Sequence, residues 1–348
     1  MGLSGRISPA VGFFGDCIHI TKLLRTVERS SFGYDGPVAT RINNRTRSGR
    51  RVDESRSKVN ILRANHLSAL PWLIHGFSTR VGGFSRAYGR GELNLGFTKE
   101  DSPAAVEKNR TVFLRELNAT VNDDFDSGTI LTLRQIHSDL IHLVESIPAE
   151  TLTGDGLITA TPGLLLAIQA ADCLPVVLVD PKLRVVGAFH AGWRGTVKRI
   201  VEKGVGEMQR RFGSRPEDLK AAIGPGIQGC CYQVGEEVKE KFHSQFSYAD
   251  ALFREVKESD PVRDKYPLLF LTARAPGHGE LPKKILLDLV EANRRQLLAA
   301  GVPTGNIEAS ALCTNCRTDL LFSYRAEKGK TGRMMNVVGI RGRSKVKQ

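Results

Sequence analysis

Apolar and polar positions follow two different periods along the chain, and from residue 59 onward strand-like and helix-like segments alternate. Short runs rich in β-branched and other apolar residues predict strands over 164–168, 176–179 and 184–189. The first two strands flank a break at Asp172-Cys173-Leu174-Pro175. Because strands and helices are mixed over the whole length, the pattern favours an α/β or α+β fold.

Three further segments carry apolar residues at helical spacing. Ser102 followed by Pro103 is typical of a helix N-cap and first helical position, and predicts a helix that runs to about Leu117. The spacing also predicts helices over 196–212 and 283–300, each followed directly by a glycine.

The ends of the chain differ from this alternating part. Residues 1–58 contain eleven Lys or Arg and five acidic residues, a net charge of +6 out of +13 for the whole chain. Their few periodic apolar positions predict a basic, disordered extension. We expect a single domain over 59–342 and a basic tail over 343–348, with a surface loop or insertion at the Pro- and Gly-bearing stretch 260–282.

Composition restricts the compartment and the partners. No stretch approaches 18 consecutive apolar residues, so no membrane span is expected. Six cysteines in 348 residues are too few for a disulfide scaffold, and a cytoplasmic location is the simplest expectation. The positive charge would suit a nucleic acid or a small anion such as phosphate, but no nucleic-acid motif is visible, so we expect no nucleic-acid partner.

Three residues are the strongest candidates for chemistry, namely His137, Cys173 and His190. Two imidazoles and one thiolate suit a catalytic zinc, which takes three protein ligands and an open fourth position. The same residues could instead make a cysteine nucleophile with a histidine base, or a buried cysteine and an ordinary strand-end histidine. Their spacings of 36 and 17 residues are too long for one turn, so only tertiary structure can bring them together.

Other residues have weaker signals. Arg80 lies in Ser-Thr-Arg-Val-Gly-Gly and Arg194 in Gly-Trp-Arg-Gly, and both turns could bind an anion or simply be turns with a solvated arginine. Cys313-x-x-Cys316 could form a zinc ribbon with Cys230 and Cys231, or a redox pair. We do not favour the ribbon, because that site requires two well-spaced cysteine pairs.

Eight motifs together resemble one family, the laccase-domain proteins, long labelled multicopper polyphenol oxidases and now regarded as purine nucleoside phosphorylases. The resemblance covers roughly residues 60–342, and the motifs occur in the family's order. They are Ser78-Thr79-Arg80-x-Gly82-Gly83, Leu93-Asn94-Leu95-Gly96, Gln135-x-His137, Gly154-Asp155-Gly156-Leu157-Ile158-Thr159, Ala171-Asp172-Cys173, His190-Ala191-Gly192-Trp193-Arg194-Gly195, Gly224-Pro225-x-Ile227 with Cys230-Cys231-Tyr232, and Cys313-Thr314 through Asp319-Leu320-x-Phe322-Ser323-Tyr324-Arg325 to Thr331-Gly332-Arg333.

The resemblance implies a fold, a cofactor and an activity. The implied fold is a single-domain, four-layer α/β/β/α sandwich with mixed sheets. The implied cofactor is Zn²⁺ held by His137, Cys173 and His190, with copper, the metal of the older label, less favoured. The implied activities are phosphorolysis of adenosine, inosine and S-methyl-5′-thioadenosine, and hydrolytic deamination of adenosine, so the expected partners are purine nucleosides and phosphate.

Further roles follow from this mechanism as expectations. Arg80, Asn94, Arg194 and Arg325 are candidates for binding substrate or phosphate. Asp172 is a candidate proton carrier or partner of the metal ligands, with structural capping of the strand break as the alternative.

Two other classes of enzyme stay open. One is a cysteine hydrolase or amidase of the peptidoglycan-editing type, which would use Cys173 as nucleophile and His190 as base. The other is a copper polyphenol oxidase, although three ligands are too few for a multicopper centre.

Overall fold

The computed structural model describes residues 58–119, 130–257, 265 and 283–342, together with the backbone of Phe32–Gly33.

The strands are β1 Phe32–Gly33, β2 Ile61–Ala64, β3 Leu73–Ser78, β4 Val81–Ser85, β5 Ile130–Leu131, β6 Ile141–Leu143, β7 Gly156–Thr159, β8 Leu165–Ala170, β9 Leu174–Asp180, β10 Val185–Ala191, β11 Lys220–Ile223, β12 Gln233–Val234, β13 Phe253–Lys257, β14 Lys283–Leu287, β15 Ile307–Ala309 and β16 Met334–Ile340. The α-helices are α1 Asn65–Ser68, α2 Pro103–Glu116, α3 Trp193–Val197, α4 Ile200–Phe212, α5 Glu236–His243 and α6 Leu289–Ala299. Short 3₁₀ helices cover Pro216–Asp218, Ala249–Leu252 and Thr304–Asn306.

Two six-stranded mixed sheets form the centre of the described part. The first has the order β1-β2-β3-β16-β8-β5, and only the β5–β8 pair in it is parallel. The second has the order β15-β11-β9-β10-β7-β6, with parallel pairs at both of its edges. Their strands β8, β9, β10 and β16 are almost fully buried, as expected for strands covered on both faces.

Three apolar clusters show how the layers stack. The first, which includes Phe77, Leu166, Val177 and Val338, combines inward-facing residues of both sheets and lies between them. The second packs the other face of the second sheet against α4 and α6, and the third packs the other face of the first sheet against α2. The order is helix, sheet, sheet, helix, so the predicted four-layer sandwich is confirmed.

The described helices agree with the sequence pattern in part. Helix α2 begins where predicted, because the Ser102 hydroxyl accepts a hydrogen bond from the Ala105 N–H at 3.1 Å. The helix predicted over 196–212 is two helices, broken where Arg199 adopts a left-handed backbone with φ of 63°. None of the helices in the described ranges is long and apolar enough to cross a membrane.

The helix predicted over 283–300 was wrong at its beginning. Residues Lys283–Leu287 form strand β14, which pairs with β12 and β13 in a third, antiparallel sheet. The helix α6 begins only after Asp288, whose carboxylate accepts from the Glu291 N–H at 2.8 Å. Pairing with strands distant in sequence decides the conformation of 283–287, and a local helical pattern does not contain that information.

The predictions for the chain ends and for 260–282 mostly concern residues outside the described ranges. From the predicted extension, the structure describes Lys58 and the backbone of Phe32–Gly33, which pairs antiparallel with β2 at Phe32↔Ala64 and Gly33↔Arg63. The predicted disorder of the rest of 1–58, the loop at 260–282 and the tail at 343–348 stay predictions.

Candidate metal centre

Strand pairing and two turns bring His137, Cys173 and His190 together. His190 lies near the end of β10, and β10 pairs with β9 so that His190 is opposite Pro175. Cys173 lies just before β9, and His137 lies in the loop between β5 and β6. One sulfur atom and two imidazole nitrogen atoms from these residues all lie within 4.8 Å of one another. Residue types and motifs in the sequence predicted this set of three, although the spacing of the residues along the chain could not show that they converge.

The geometry fits a tetrahedral metal. The Cys173 sulfur lies 3.9 Å from the Nε2 atom of His137, and the rings of His137 and His190 meet edge to face with centroids 4.9 Å apart. Zinc–sulfur and zinc–nitrogen bonds of about 2.3 and 2.0 Å place tetrahedral S and N ligands about 3.5 Å apart. A small contraction of the observed set would therefore satisfy zinc, and the fourth position is left for a water molecule or substrate.

Gly192 makes this close approach possible. A Cβ atom added at Gly192 would lie 2.8 Å from the Cys173 sulfur and 3.2 Å from the Cδ2 atom of His137. A larger residue would therefore displace two of the three candidate ligands. This explains on steric grounds why glycine follows His190 so closely in the chain.

A buried carboxylate, Asp155, holds the trio in place. Its Oδ1 atom accepts from His190 Nδ1 at 2.8 Å and from the His137 N–H at 3.0 Å. Its Oδ2 atom accepts from the N–H and the hydroxyl of Ser138, at 2.6 and 2.7 Å, and from the Ile136 N–H at 3.2 Å. An ionised carboxylate only accepts hydrogen bonds, so Nδ1 of His190 carries a proton, and Nε2 is the ring nitrogen that can bind a metal once it has lost its own proton.

The charges of the trio support each other. Burial opposes ionisation of Cys173, but the charge of His190 and hydrogen bonds from both histidines outweigh it and lower the pKa of the thiol to about 6. Burial likewise opposes the charge of His190, but Cys173 and Asp155 raise its pKa to about 9. Although burial favours its neutral form, hydrogen bonds from His190 and Ser138 hold the pKa of Asp155 well below its usual value. Cys173 is thus thiolate near neutral pH, the form that binds metals.

Asp172 is occupied by other partners. Its carboxylate accepts from the hydroxyls of Thr314 and Ser323 at 2.6 and 2.7 Å and from the Arg325 N–H at 2.7 Å. The residue has a left-handed backbone with φ of 91°, at the break that presents Cys173. These contacts support the capping alternative, and the role of proton carrier stays a prediction.

Two of the residues expected to bind substrate are enclosed by protein. Arg80 is 7% exposed. Its guanidinium forms ion pairs with Glu92 and Glu327, at 2.6 and 3.1 Å. Asn94 is fully buried, and its amide donates to Gly96 and Asp101 and accepts from two backbone N–H groups. Substrate binding by Arg80 and Asn94 stays a prediction, one that these contacts disfavour.

The other two arginines are exposed near the trio. Arg325 donates to the Gln233 carbonyl at 2.8 Å, and its guanidinium lies 5.6 Å from the centre of the Tyr232 ring. The Arg194 guanidinium lies 4.4 Å from the centre of the Trp193 ring. Burial raises the pKa of Tyr232, the charge of Cys173 raises it further, and Arg325 and Arg194 oppose this. Both arginines therefore act on the same region as the thiolate.

Asp155 is the functional residue that the sequence reasoning missed. The sequence shows the motif Gly154-Asp155-Gly156, but the motif alone indicates no role for its carboxylate. The available signal was an acidic residue at the start of an otherwise apolar strand, since a carboxylate there needs several donors to be stable.

The chain is similar to several curated proteins that have functional names. The chain is 38% identical to a purine nucleoside phosphorylase of Deinococcus radiodurans, over 80% of this chain and 92% of that protein. It is 37% identical to the adenosine deaminase RL5 of an unknown prokaryotic organism, over 51% of this chain and 59% of that protein.

Solved structures give the same answer for the fold. The crystal structure of the Bacillus licheniformis hypothetical protein YfiH matches with a TM-score of 0.66 and 33% identity, over 84% of this chain and 98% of that one. A family model described as multi-copper polyphenol oxidoreductase laccase matches residues 74–341, which include every residue of the trio. The chain therefore belongs to the laccase-domain family of multi-copper polyphenol oxidoreductase laccases.

Proposed function

We propose that this protein is a zinc-dependent purine nucleoside enzyme of the cytoplasm. Its reactions would be phosphorolysis of adenosine, inosine and S-methyl-5′-thioadenosine, and hydrolytic deamination of adenosine. The observation that carries the proposal is the trio His137, Cys173 and His190 held by Asp155, together with relatives named for both activities.

The donor set favours zinc with an open position. Histidine and cysteine are both ligands of catalytic zinc, which takes three protein ligands, and a carboxylate behind a histidine ligand is typical of such sites. Zinc held there would act as a Lewis acid and lower the pKa of a water molecule toward neutrality. Since two histidines and one cysteine also serve in mononuclear copper sites, metal analysis has to accompany every activity measurement.

The chain's own residues would prepare the site for both reactions. Asp155 fixes the His190 ring and its tautomer, and the Cys173 thiolate supplies negative charge against the metal. In phosphorolysis, a phosphate oxygen forms a bond to the anomeric carbon while the glycosidic bond breaks and its electrons leave with the purine. We assign Arg325 and Arg194 to the phosphate, because both are exposed and act electrostatically on the region around Tyr232.

In deamination, water would add to the purine carbon that carries the amine, and ammonia would leave. The proposal gives Asp172 a positioning role, since three donors already occupy its carboxylate.

The test is product analysis by chromatography. Purified protein of measured zinc and copper content would be incubated with adenosine, with and without phosphate. We expect adenine and ribose-1-phosphate only when phosphate is present, and inosine in both conditions. A Cys173→Ala variant should form none of these products, because it loses one of three metal ligands.

A second variant separates loss of chemistry from loss of folding. Arg325→Met leaves the trio intact, so it should raise the KM for phosphate while deamination continues. If zinc-loaded wild-type protein turned over neither adenosine nor inosine under any of these conditions, the nucleoside proposal would be wrong.

A cysteine hydrolase is the second candidate, because Cys173, His190 and Asp155 also lie in the order nucleophile, base and orienting carboxylate. Iodoacetamide and a chelator distinguish the two candidates. A hydrolase would keep its activity in the chelator and lose it on alkylation, whereas the metal enzyme would lose activity in the chelator and regain it with zinc.

A further inference from the structure

Four cysteines outside the trio form a second compact cluster. Cys230, Cys231, Cys313 and Cys316 place their sulfur atoms within 4.8 Å of one another. None of the four is in a disulfide. Cys313 is buried, Cys230 and Cys231 are partly exposed, and Cys316 is exposed. The metal centre described above does not use any of them.

The separations of the sulfur atoms match a tetrahedral thiolate site. The Cys230 sulfur lies 3.6 Å from that of Cys231 and 3.7 Å from that of Cys316, and the sulfur atoms of Cys231 and Cys316 are 3.3 Å apart. Four zinc–sulfur bonds of about 2.3 Å in a tetrahedron place the sulfur atoms about 3.8 Å apart. The observed distances therefore need only a small expansion to accept the ion.

The backbone around the cluster is arranged in two facing turns. The N–H groups of Cys231 and Tyr232 both donate to the Gln228 carbonyl at 2.9 Å, which forms the first turn. The Arg317 N–H donates to the Cys313 carbonyl at 3.0 Å, which forms the second. The strand-like bridge between Gly226 and Cys313 holds the two turns against each other.

The buried sulfur also has backbone donors. The backbone N–H groups of Gln228 and Cys316 lie where they favour negative charge on the Cys313 sulfur. Such donors stabilise negative charge on a sulfur atom, as metal-bound thiolates require.

We propose that Cys230, Cys231, Cys313 and Cys316 bind a second Zn²⁺ with a structural role. All four ligands of such an ion would be thiolates, so the site would be closed and would keep no place for a substrate. The ion would join the turn at Cys230 and Cys231 to the turn at Cys313 and Cys316.

The two joined segments also carry residues of the candidate metal centre. Tyr232 directly follows the first cysteine pair, and Arg325 follows the second by nine residues. Arg325 already crosses between the segments through its hydrogen bond to the Gln233 carbonyl. A structural zinc would therefore fix the position of the arginine assigned to phosphate.

The test is metal analysis of the full chain by inductively coupled plasma mass spectrometry, after purification without added metal and brief dialysis. We expect about two zinc ions per wild-type chain, about one in the double variant Cys230→Ser/Cys316→Ser and about one in His137→Ala/Cys173→Ala. Cys17→Ser is the matched control for loss of a cysteine, and it should keep about two ions.

Cobalt substitution gives an independent readout. Thiolate-to-cobalt charge-transfer absorption grows with the number of sulfur ligands. Loaded with one equivalent of Co²⁺, His137→Ala/Cys173→Ala should absorb more strongly per cobalt than Cys230→Ser/Cys316→Ser, because its remaining site has four thiolate ligands and the other has one.

Three outcomes would overturn the second zinc site. The first is unchanged zinc content in the folded Cys230→Ser/Cys316→Ser variant. The second is iron in place of zinc, since four thiolates also suit iron. The third is a count of four thiols in place of six in unreduced, denatured wild-type protein, which would show a disulfide. Nucleoside turnover is measured separately, so its absence would leave the zinc count valid.

Discussion

The carboxylate of Asp155 offers the sharpest test of the metal centre, through the substitution Asp155→Asn. The new side chain has nearly the same shape but replaces one accepting oxygen with an NH₂ group. In the wild-type structure, each oxygen of Asp155 accepts at least two hydrogen bonds, at 2.6–3.2 Å. Whichever way the amide is placed, at least two donors face its NH₂ group.

The magnitude follows from those lost acceptors. Each buried donor left without a partner costs about 1–3 kcal/mol, so the free energy of unfolding should fall by about 2–6 kcal/mol. If the NH₂ group faces His190, the ring proton moves to Nε2 and blocks the atom available to the metal. Loss of such a partner typically lowers metal affinity by about 10–100-fold.

The assay combines urea denaturation with a competition titration of zinc against a chromogenic chelator. Asp180→Asn is the control, because Asp180 is also buried and accepts from backbone N–H groups at 2.9 Å, but at the opposite end of β9. The control should lose some stability and keep its zinc affinity. Unchanged zinc affinity at the trio in folded Asp155→Asn protein would refute the role we give this carboxylate.

Three further predictions concern other residues. Gly192→Ala should abolish zinc binding at the trio in mass spectrometry, because its Cβ would lie 2.8 Å from the Cys173 sulfur, and full zinc content would contradict the steric argument. Arg80→Met should lower the free energy of unfolding by about 1–3 kcal/mol in urea, because two partly buried carboxylates lose their partner. If only the KM for phosphate changed, Arg80 would be a binding residue. Burial lowers the pKa of His75 to about 4, so its protonation favours the unfolded chain as pH falls below 6.5 toward 4. Between pH 7 and pH 5, the free energy of unfolding of the wild type should fall by about 2 kcal/mol more than that of His75→Gln. Equal decreases in the two proteins would refute this assignment.

The sequence predicts the elements whose signals are local. Helix α2 was placed correctly, because its cap at Ser102 and its apolar spacing lie within one segment. Strands β8, β9 and β10 also match, since continuous apolar runs are typical of strands buried on both faces. The error at Lys283–Leu287 and the break at Arg199 both have causes outside the local pattern, namely sheet pairing and a single left-handed residue.

The sequence likewise predicts one part of the candidate site, and the other part depends on contacts between distant segments. His137, Cys173 and His190 could be chosen from their residue types and the family's motifs. Their convergence depends on the pairing of β9 with β10 and on a turn at Asp172, which no spacing rule gives. The carboxylate of Asp155 has partners 17–35 residues away, so its function became visible only when the fold brought them together.

The left-handed backbone at His137 and Asp172 bears on how firmly the centre binds its metal. Non-glycine residues in this region each store about 1–3 kcal/mol of strain, and here one is a candidate ligand and the other precedes one. Hydrogen bonds to Asp155 and from Thr314 and Ser323 hold these conformations, so folding itself covers the cost of the strain. The ligands are therefore preorganised in the folded protein, and little of the metal-binding free energy is lost to ordering the loops. Selectivity among metals would accordingly come from a rigid arrangement of two nitrogens and one sulfur, which a poorly matched ion cannot easily reshape.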